Sequence, residues 1–272
     1  MQPSEEQPQP STGSPELQEE PETKPVRREY QHRAIEQIKQ LHKAPVLMPR
    51  GAGKTRVALE ALAELEAKST LIVCPRTAIG HWKAEIKKWT GAGDEDIKVA
   101  RADPQTRQWI WRNRGNWRFI LVTYGTLLQD QRFVCKPVKW EAVICDEAHK
   151  LRNRKTKIFT AVKAMQYSIA MFLSGSIFRS QVLDVWTLLH LSDKQTFSSF
   201  WKFANTFVHV IDGPFGKEFG GPRNMERFRE LLTRHAVYVG MEEVAGALPG
   251  RNRQYLDVEI EGKQKQLYDR IW

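Results

Sequence analysis

The chain has 272 residues, of which 41% are hydrophobic, and it carries a formal net charge of +10. This length and apolar content suffice to bury a full core and suggest one or two domains. No run of about 18 apolar residues could cross a membrane, no leader marks secretion, and three irregularly spaced cysteines are too few for a disulfide framework or a zinc site. We therefore expect reduced thiols in a soluble intracellular protein, cytoplasmic or nuclear according to the host.

The charge is unevenly distributed along the chain. Residues 1–23 hold six glutamates and no lysine or arginine, and since they contribute −6, the remaining residues carry +16. A basic body of this kind suits a polyanion such as nucleic acid, although solubility alone would also account for it. Residues 1–28 are rich in Pro, Gln, Glu and Ser and almost lack large apolar side chains. That composition predicts a disordered tail.

From residue 29 onwards the apolar pattern alternates between the helical and the strand period. The predicted strands are residues 45–48, 70–74, 97–100, 118–123, 142–145 and 169–173. The predicted helices between them are residues 30–41, 54–67, 77–89 and 155–165. Short apolar strands separated by helices of about 10 to 15 residues predict an α/β fold with a doubly wound parallel sheet.

The pattern changes after residue 195. The predicted elements there are an aromatic helix at residues 197–210, a glycine-rich loop at 213–221, and helices near 225–232 and 262–272. We interpret residues 196–272 as a helical extension of a lobe formed by residues 29–195. The aromatic side chains of the extension are expected in its core rather than on a platform that stacks bases.

The segment with the clearest chemistry, residues 45–55, reads PVLMPRGAGKT. A strand leads through a glycine turn into a helix, so backbone amides and a helix N-terminus face one point, as a phosphate requires. Lys54 can reach the β- and γ-phosphates of ATP, and the hydroxyl of Thr55 can hold Mg²⁺. The full pattern has a further glycine separated from Gly53 by four residues, where this sequence has Met48, so an ordinary glycine turn is the alternative. The predicted ATP-binding residues here are Gly51, Ala52, Gly53, Lys54 and Thr55.

A second segment, residues 141–149, reads EAVICDEAH and ends a buried strand in two carboxylates. An acid at the carboxyl end of a strand lies at the ligand-binding edge of a doubly wound sheet. Asp146 would hold Mg²⁺, directly or through water, and Glu147 would orient and activate the attacking water. A solvated acid pair is the alternative, but the glycine turn and lysine upstream favour catalysis of phosphoryl transfer.

Together these segments resemble those of superfamily-two helicases and, more specifically, Swi/Snf-type DNA translocases. The resemblance runs collinearly through residues 28–272. Four segments in its first part are REYQ at 28–31, which resembles the Q motif, LIVCPRTAIGHW at 71–82 (motif Ia), VTYGT at 122–126 (motif Ib) and DEAHKLRN at 146–153 (motif II). Further along, LSGSI at 173–177 with VWTLL at 185–189 resembles motif III and the helix after it. Finally, LPGR at 248–251 and QKQLY at 264–268 resemble the segment that leads out of the first lobe.

The resemblance implies a RecA-like lobe that uses ATP and Mg²⁺ on double-stranded DNA. Gln31 would read the adenine edge, and His149 would link the ATP site to motif III, where Ser174 and Ser176 supply hydroxyls. The implied DNA track consists of Pro75, Arg76, Thr77, Thr123 and Tyr124, whose groups suit sequence-blind phosphate contacts. A solvated Arg76 and a structural His149 are the alternatives, and Trp82 is expected in the core.

Motif III departs from the family, because it reads Ser-Gly-Ser-Ile where threonine or alanine and then proline are usual. The family's second lobe, which carries arginine fingers, would follow Trp272. We therefore expect an incomplete motor that binds ATP but hydrolyses it slowly unless a separate chain supplies that lobe. The alternatives are an isolated nucleic-acid- or partner-binding module with little or no ATP turnover, and an RNA helicase lobe.

Overall fold

The computed structural model describes residues 26–101, 103–135, 138–175, 182–213 and 216–246, together with the single positions 262, 265 and 270. Several predictions fall outside these residues. They are the tail up to residue 25, Ser176, the segment 248–251 and all but three positions of the helix 262–272.

The described chain contains nine strands. They are β1 (Lys43–Leu47), β2 (Thr70–Cys74), β3 (Ile97–Val99), β4 (Phe119–Thr123), β5 (Lys139–Cys145), β6 (Gln166–Ser174), β7 (Val208–Gly213), β8 (Gly216–Pro222) and β9 (Val237–Tyr238). Seven of them form one parallel sheet in the order β3-β4-β2-β5-β6-β1-β9, and β7 pairs with β8 in an antiparallel hairpin. The central strands β2 and β4 are apolar except for one terminal threonine each, as expected where both faces of the sheet are covered.

Helices cover both faces of the sheet. Those in the described chain are α1 (Glu29–Leu41), α2 (Lys54–Glu64), α3 (Ile79–Thr90), α4 (Pro104–Arg112), α5 (Tyr124–Gln129), α6 (Gln131–Val134), α7 (Lys157–Lys163), α8 (Val182–Ser192), α9 (Phe200–Phe207), α10 (Met225–His235) and α11 (Met241–Ala245). Ile35, Leu59 and Trp82 place α1, α2 and α3 in one apolar cluster. Leu127 and Leu188 place α5 and α8 in a second cluster on the opposite face. The predicted RecA-like, doubly wound α/β fold is confirmed. The described residues after 195 contain α9, α10 and α11 together with the strands β7, β8 and β9.

The six strands predicted from the sequence are all present, and their predicted ends differ from the observed ones by at most three residues. Two predictions in the extension are wrong. Of the loop predicted at residues 213–221, Gly213 ends β7 and residues 216–221 belong to β8, so the described part is a hairpin. The helix predicted at 197–210 ends at Phe207, and β7 begins at Val208. Glycine weakens the strand signal, but the paired backbone of a hairpin does not require side chains at every position.

The sequence reading also omitted α4 and β9. A signal for α4 was available, because Asp103 precedes Pro104 and its carboxylate accepts hydrogen bonds from the backbone N–H groups of Gln105 and Thr106 at 2.9 and 3.0 Å. β9 is only two residues long. It pairs with Val46 and Leu47 of β1, and a strand of this length forms because of that pairing rather than because of its own composition.

The aromatic residues of the extension divide between core and surface. Phe197, Phe203 and Phe207 are buried, as expected, but Trp201 is 42% exposed and stacks on the exposed ring of Phe219. All three cysteines are buried and unpaired. Among the described residues, no helix has both the length and the apolar character that a membrane span needs.

Candidate active site and the cavity beside it

The sheet order brings three of the predicted motifs to neighbouring strand ends. β6 lies between β1 and β5, with Leu47 opposite Ser174 and Cys145 opposite Phe172. The glycine turn follows β1, the acid pair follows β5, and the motif III residues end β6. Because parallel strands present their carboxyl ends at one edge, these residues share one candidate site at the place where α/β sheets bind ligands.

The turn between β1 and α2 has a backbone that only glycine adopts easily. Gly51 and Gly53 have φ of 79° and 81°, in the left-handed region. A Cβ atom on Gly53 would also lie 2.5 Å from Nε2 of Gln31, so the Gln31 amide would have to shift to admit a side chain there. The turn leads directly into α2 at Lys54, while Thr55 lies half-buried in its first turn. This is the local geometry of a phosphate-binding loop.

Lys54 lies beneath the loop. Its ammonium donates hydrogen bonds to the carbonyl oxygens of Met48 and Pro49 at 3.1 and 2.9 Å. Burial lowers the pKa of Lys54, and the negative charges of Glu147 and Asp146 act in the opposite direction. A Cβ atom on Gly175 would approach the ammonium to 3.3 Å, which places the end of β6 beside it.

Gln31 is buried between the start of α1 and the loop. Its amide oxygen accepts a hydrogen bond from the backbone N–H of Arg28 at 3.1 Å, and its amide nitrogen donates to the carbonyl of Ala52 at 3.1 Å. The side chain therefore supports the loop that would hold phosphate. Recognition of adenine by Gln31 stays a prediction.

Asp146 is held from three directions. One carboxylate oxygen accepts a hydrogen bond from the indole N–H of Trp82 at 2.9 Å, and the other accepts from the backbone N–H of Glu147 at 2.8 Å. Its backbone carbonyl accepts from the hydroxyl of Tyr124 at 2.7 Å. No ion pair joins Asp146 to another residue in the described part of the chain. The carboxylate is thus oriented without being neutralised.

Glu147 has a strained backbone. Its φ and ψ are 50° and 49°, a left-handed conformation that costs a residue with a side chain about 1–2 kcal/mol. Such strain clusters at functional sites, where the surroundings hold it. His149 Nδ1 lies 3.0 Å from Glu147 Oε2, at an angle outside hydrogen-bond geometry, and both side chains are about one third exposed. The structure therefore brings the proposed coupling histidine to the proposed catalytic glutamate.

Ser174 joins the end of β6 to the phosphate loop. Its backbone carbonyl accepts a hydrogen bond from the N–H of Met48 at 3.2 Å. Its side chain is buried, and the hydroxyl has no hydrogen-bond partner among the described residues. A buried polar group without a partner is uncommon and costs free energy, so this hydroxyl is available to a ligand or to a rearranged loop.

A cationic cavity of about 680 Å³ lies at the carboxyl ends of the neighbouring strands β2, β4 and β3. It is lined by Arg76, Ile79, Gly80, Lys83, Val99, Arg101, Arg107, Thr123 and Thr126. Of the five residues predicted for the DNA track, Arg76 and Thr123 line it, whereas Pro75 and Thr77 adjoin Arg76 in sequence without lining it. Tyr124 is 8% exposed, with its hydroxyl bonded to Asp146, so it faces the candidate ATP site instead.

Three further residues of this cavity were not predicted from the sequence, namely Lys83, Arg101 and Thr126. Arg101 follows β3, and Arg76 and Thr123 lie at the ends of β2 and β4. Their convergence depends on the sheet order, which the sequence alone did not provide. Lys83 carried a local signal, since it lies one turn after Ile79 on α3, away from the buried Trp82 and Ile86.

The fold and the strand-end residues define a RecA-like α/β lobe with a phosphate-loop motif. A family model, the SNF2-related domain, matches residues 9–272. The chain therefore belongs to the SNF2-related domain family, and the resemblance to Swi/Snf-type helicases and translocases is confirmed.

Individual relatives agree with this assignment. The chain is 24% identical over 233 residues to the CHD3-type chromatin-remodeling factor CHR7 of Arabidopsis thaliana, covering 81% of this chain and 18% of that protein. It is 24% identical over 204 residues to human chromodomain-helicase-DNA-binding protein 1, covering 73% of this chain and 11% of that protein. The chain thus spans a small part of the length of these curated relatives.

Solved structures give the same result for the fold. The Sulfolobus solfataricus SWI2/SNF2 ATPase core in complex with double-stranded DNA is 26% identical with a TM-score of 0.57, covering 66% of this chain and 38% of that one. The ATPase core domain of the same organism is 25% identical with a TM-score of 0.56, covering 71% and 40%. The chain is similar to one part of an SNF2-type ATPase core.

Proposed function

We propose that this chain is the ATP-binding lobe of a DNA-dependent ATPase that translocates on double-stranded DNA. The observation that carries the proposal is the convergence of the glycine turn, Ser174 and the acid pair at three adjacent strand ends, beside a cationic cavity on the next strands of the same sheet. The lobe would comprise residues 29–195, and residues 196–272 would form an extension whose strand β9 joins the lobe's sheet.

The residue roles follow from the chemistry of phosphoryl transfer. Backbone N–H groups of residues 51–55 would bind the phosphates of ATP, with Lys54 at the β- and γ-phosphates. Glu147 would orient and activate the attacking water, and His149, whose Nδ1 lies 3.0 Å from Glu147 Oε2, would link this glutamate to motif III. An arginine from a second lobe, in the same or another polypeptide, would stabilise the charge of the transition state.

The residues present fit a magnesium ion. Thr55 and Asp146 offer oxygen ligands, which Mg²⁺ prefers, and Asp146 is an oriented carboxylate without an ion-pair partner among the described residues. When bound, Mg²⁺ neutralises charge on the β- and γ-phosphates. The protein's own contribution is to fix the Asp146 carboxylate through Trp82 and the backbone of Glu147.

The cavity supplies a matching surface for a polyanion. Arg76, Lys83 and Arg101 bring three cationic side chains to it, and the hydroxyls of Thr123 and Thr126 lie 3.0 Å apart at its wall. Such groups contact phosphates without reading bases, which is what movement along any sequence requires. Duplex DNA as the substrate would place the activity inside a cell, in the cytoplasm or the nucleus.

The test is ATP binding and hydrolysis by the purified chain, with and without duplex DNA, beside Glu147→Gln. Since removal of a general base costs roughly 10²–10⁴ in rate, Glu147→Gln should abolish measurable DNA-stimulated turnover while MgATP still binds. Binding without turnover by the unaltered chain would place the missing arginine in a second lobe. Failure to bind MgATP, with the chain folded, would contradict the proposal. Equal stimulation of ATP hydrolysis by double-stranded RNA would contradict the proposal that duplex DNA is the substrate.

A further inference from the structure

Asp146 is contacted by two of the segments that border the cationic cavity, α3 and α5. α3 presents Ile79, Gly80 and Lys83 to the cavity, and its next buried residue, Trp82, donates its indole N–H to the Asp146 carboxylate. α5 begins at Tyr124, directly after Thr123 at the cavity wall. Each of these two helices therefore lines the cavity with some residues and donates one hydrogen bond to Asp146.

The two contacts act on different parts of Asp146. Trp82 is 0% exposed and bonds to one oxygen of the carboxylate at 2.9 Å, which fixes the rotation of the side chain. Tyr124 bonds to the backbone carbonyl at 2.7 Å, which fixes the turn at the end of β5. Burial raises the pKa of Tyr124 well above its ordinary value, so the hydroxyl keeps its proton and stays a donor.

Rigid packing would carry a displacement from one side of these elements to the other. Trp82 packs in a cluster with Ile86 and Ile144, the latter two residues before Asp146. Buried side chains at native density do not deform gradually, so a shift of α3 or α5 is transmitted to what they contact. We propose that Trp82 and Tyr124 are positioning residues that hold Asp146 for Mg²⁺ and transmit the occupancy of the cationic cavity to it. This inference rests on the proposed function, because it assigns Asp146 to Mg²⁺.

The chain offers a matched control for each positioning residue. Trp111 is 2% exposed and donates its indole N–H to Asp130 at 2.8 Å, away from the strand ends of the candidate ATP site. Tyr167 is 7% exposed and donates its hydroxyl to the backbone carbonyl of Leu191 at 2.8 Å. Trp111→Phe and Tyr167→Phe therefore remove the same kinds of hydrogen bond from the same depth of burial.

The first experiment measures ATP affinity of the full chain in Mg²⁺ and in EDTA for Trp82→Phe and Trp111→Phe. Because a hydrogen bond to a charged group is lost, Trp82→Phe should weaken binding in Mg²⁺ on the order of tenfold and leave binding in EDTA unchanged. Trp111→Phe should change neither. In an Asp146→Asn background, Trp82→Phe should cause no further loss, since it acts through Asp146. An equal loss in both backgrounds would overturn the positioning role.

The second experiment measures the Mg²⁺ concentration needed for half-maximal ATP binding, with and without random-sequence duplex DNA. DNA should shift this concentration in the unaltered chain, and Trp82→Phe and Tyr124→Phe should each reduce the shift at least threefold, whereas Tyr167→Phe retains it. The indole ¹⁵N–¹H signal that disappears in Trp82→Phe should move when DNA is added with MgATP bound. If DNA does not shift this Mg²⁺ concentration in the unaltered chain, the proposed transmission from the cavity to Asp146 is overturned.

The two proposals fail in distinguishable ways. A folded chain that does not bind ATP in Mg²⁺ would contradict the proposed function. A chain that binds MgATP normally, and in which Trp82→Phe behaves as Trp111→Phe does, would overturn this inference alone.

Discussion

Two indole–carboxylate pairs in this lobe, each with a buried indole, have almost the same hydrogen-bond length and opposite surroundings. Trp82 donates to Asp146 at 2.9 Å, and Trp111 donates to Asp130 at 2.8 Å. Asp130 also receives two hydrogen bonds from the guanidinium of Arg107, at 2.8 and 3.1 Å. Asp146 has no such cation among the described residues. A carboxylate that has its own cation serves the fold, whereas one that is oriented but not neutralised is ready for a cation that arrives with a ligand.

The largest expected effect is a difference in the free energy of unfolding between variants of the two aspartates. Asp130→Ala removes the carboxylate that accepts two hydrogen bonds from the nearly buried Arg107, which should lower the free energy of unfolding by about 2–3 kcal/mol. This is below the roughly 3–5 kcal/mol of a deeply buried pair because Arg107 borders the open cavity. Asp146→Ala should cost less, since it removes an unpaired charge, but it should abolish the Mg²⁺ dependence of ATP binding. Urea denaturation of both variants checks the difference, and equal losses of stability would break the comparison.

A second expected effect separates the two arginines of the cavity. Arg76 is exposed, whereas Arg107 is held by Asp130. Arg76→Ala should weaken binding of duplex DNA and reduce the slope of log affinity against log salt by about 1, while stability stays unchanged. Arg107→Ala should instead destabilise the lobe. Salt titrations of DNA binding measure the slope, and an unchanged slope in Arg76→Ala would exclude this residue from the DNA contact.

The smallest expected effect concerns pH. Burial lowers the pKa of Lys54, whereas the hydrogen bond from Arg107 to Asp130 raises the pKa of that arginine. ATP affinity should therefore fall as pH rises through the lowered pKa of Lys54, at a lower pH than an ordinary lysine would require. The free energy of unfolding should rise with pH over the interval between the folded and unfolded pKa values of Lys54, because the unfolded state then binds more protons. Calorimetric titrations between pH 7 and 10 check the first trend, and affinity that stays constant over that range would contradict it.

Local patterns in the sequence determined the fold class, the phosphate loop and the acid pair. The strands predicted from the sequence contain short apolar runs, the loop needs glycine for two left-handed residues, and the acids directly follow a strand. Each signal therefore lies within about ten residues. The arrangement of a doubly wound sheet then implies that strand ends meet at one edge.

Only the tertiary structure decided which strand ends are neighbours and which side chains meet across them. The cavity depends on β3, β4 and β2 lying side by side, and the bonds from Trp82 and Tyr124 to Asp146 join residues 64 and 22 positions apart. The sequence predicted a core position for Trp82, which is confirmed, and the family resemblance implied a DNA contact for Tyr124. Neither indicated a hydrogen bond to Asp146, because a ring's apolar pattern does not say where its single polar group points. Packing fixes that direction, since a buried N–H or O–H must find an acceptor among whatever the fold brings near it.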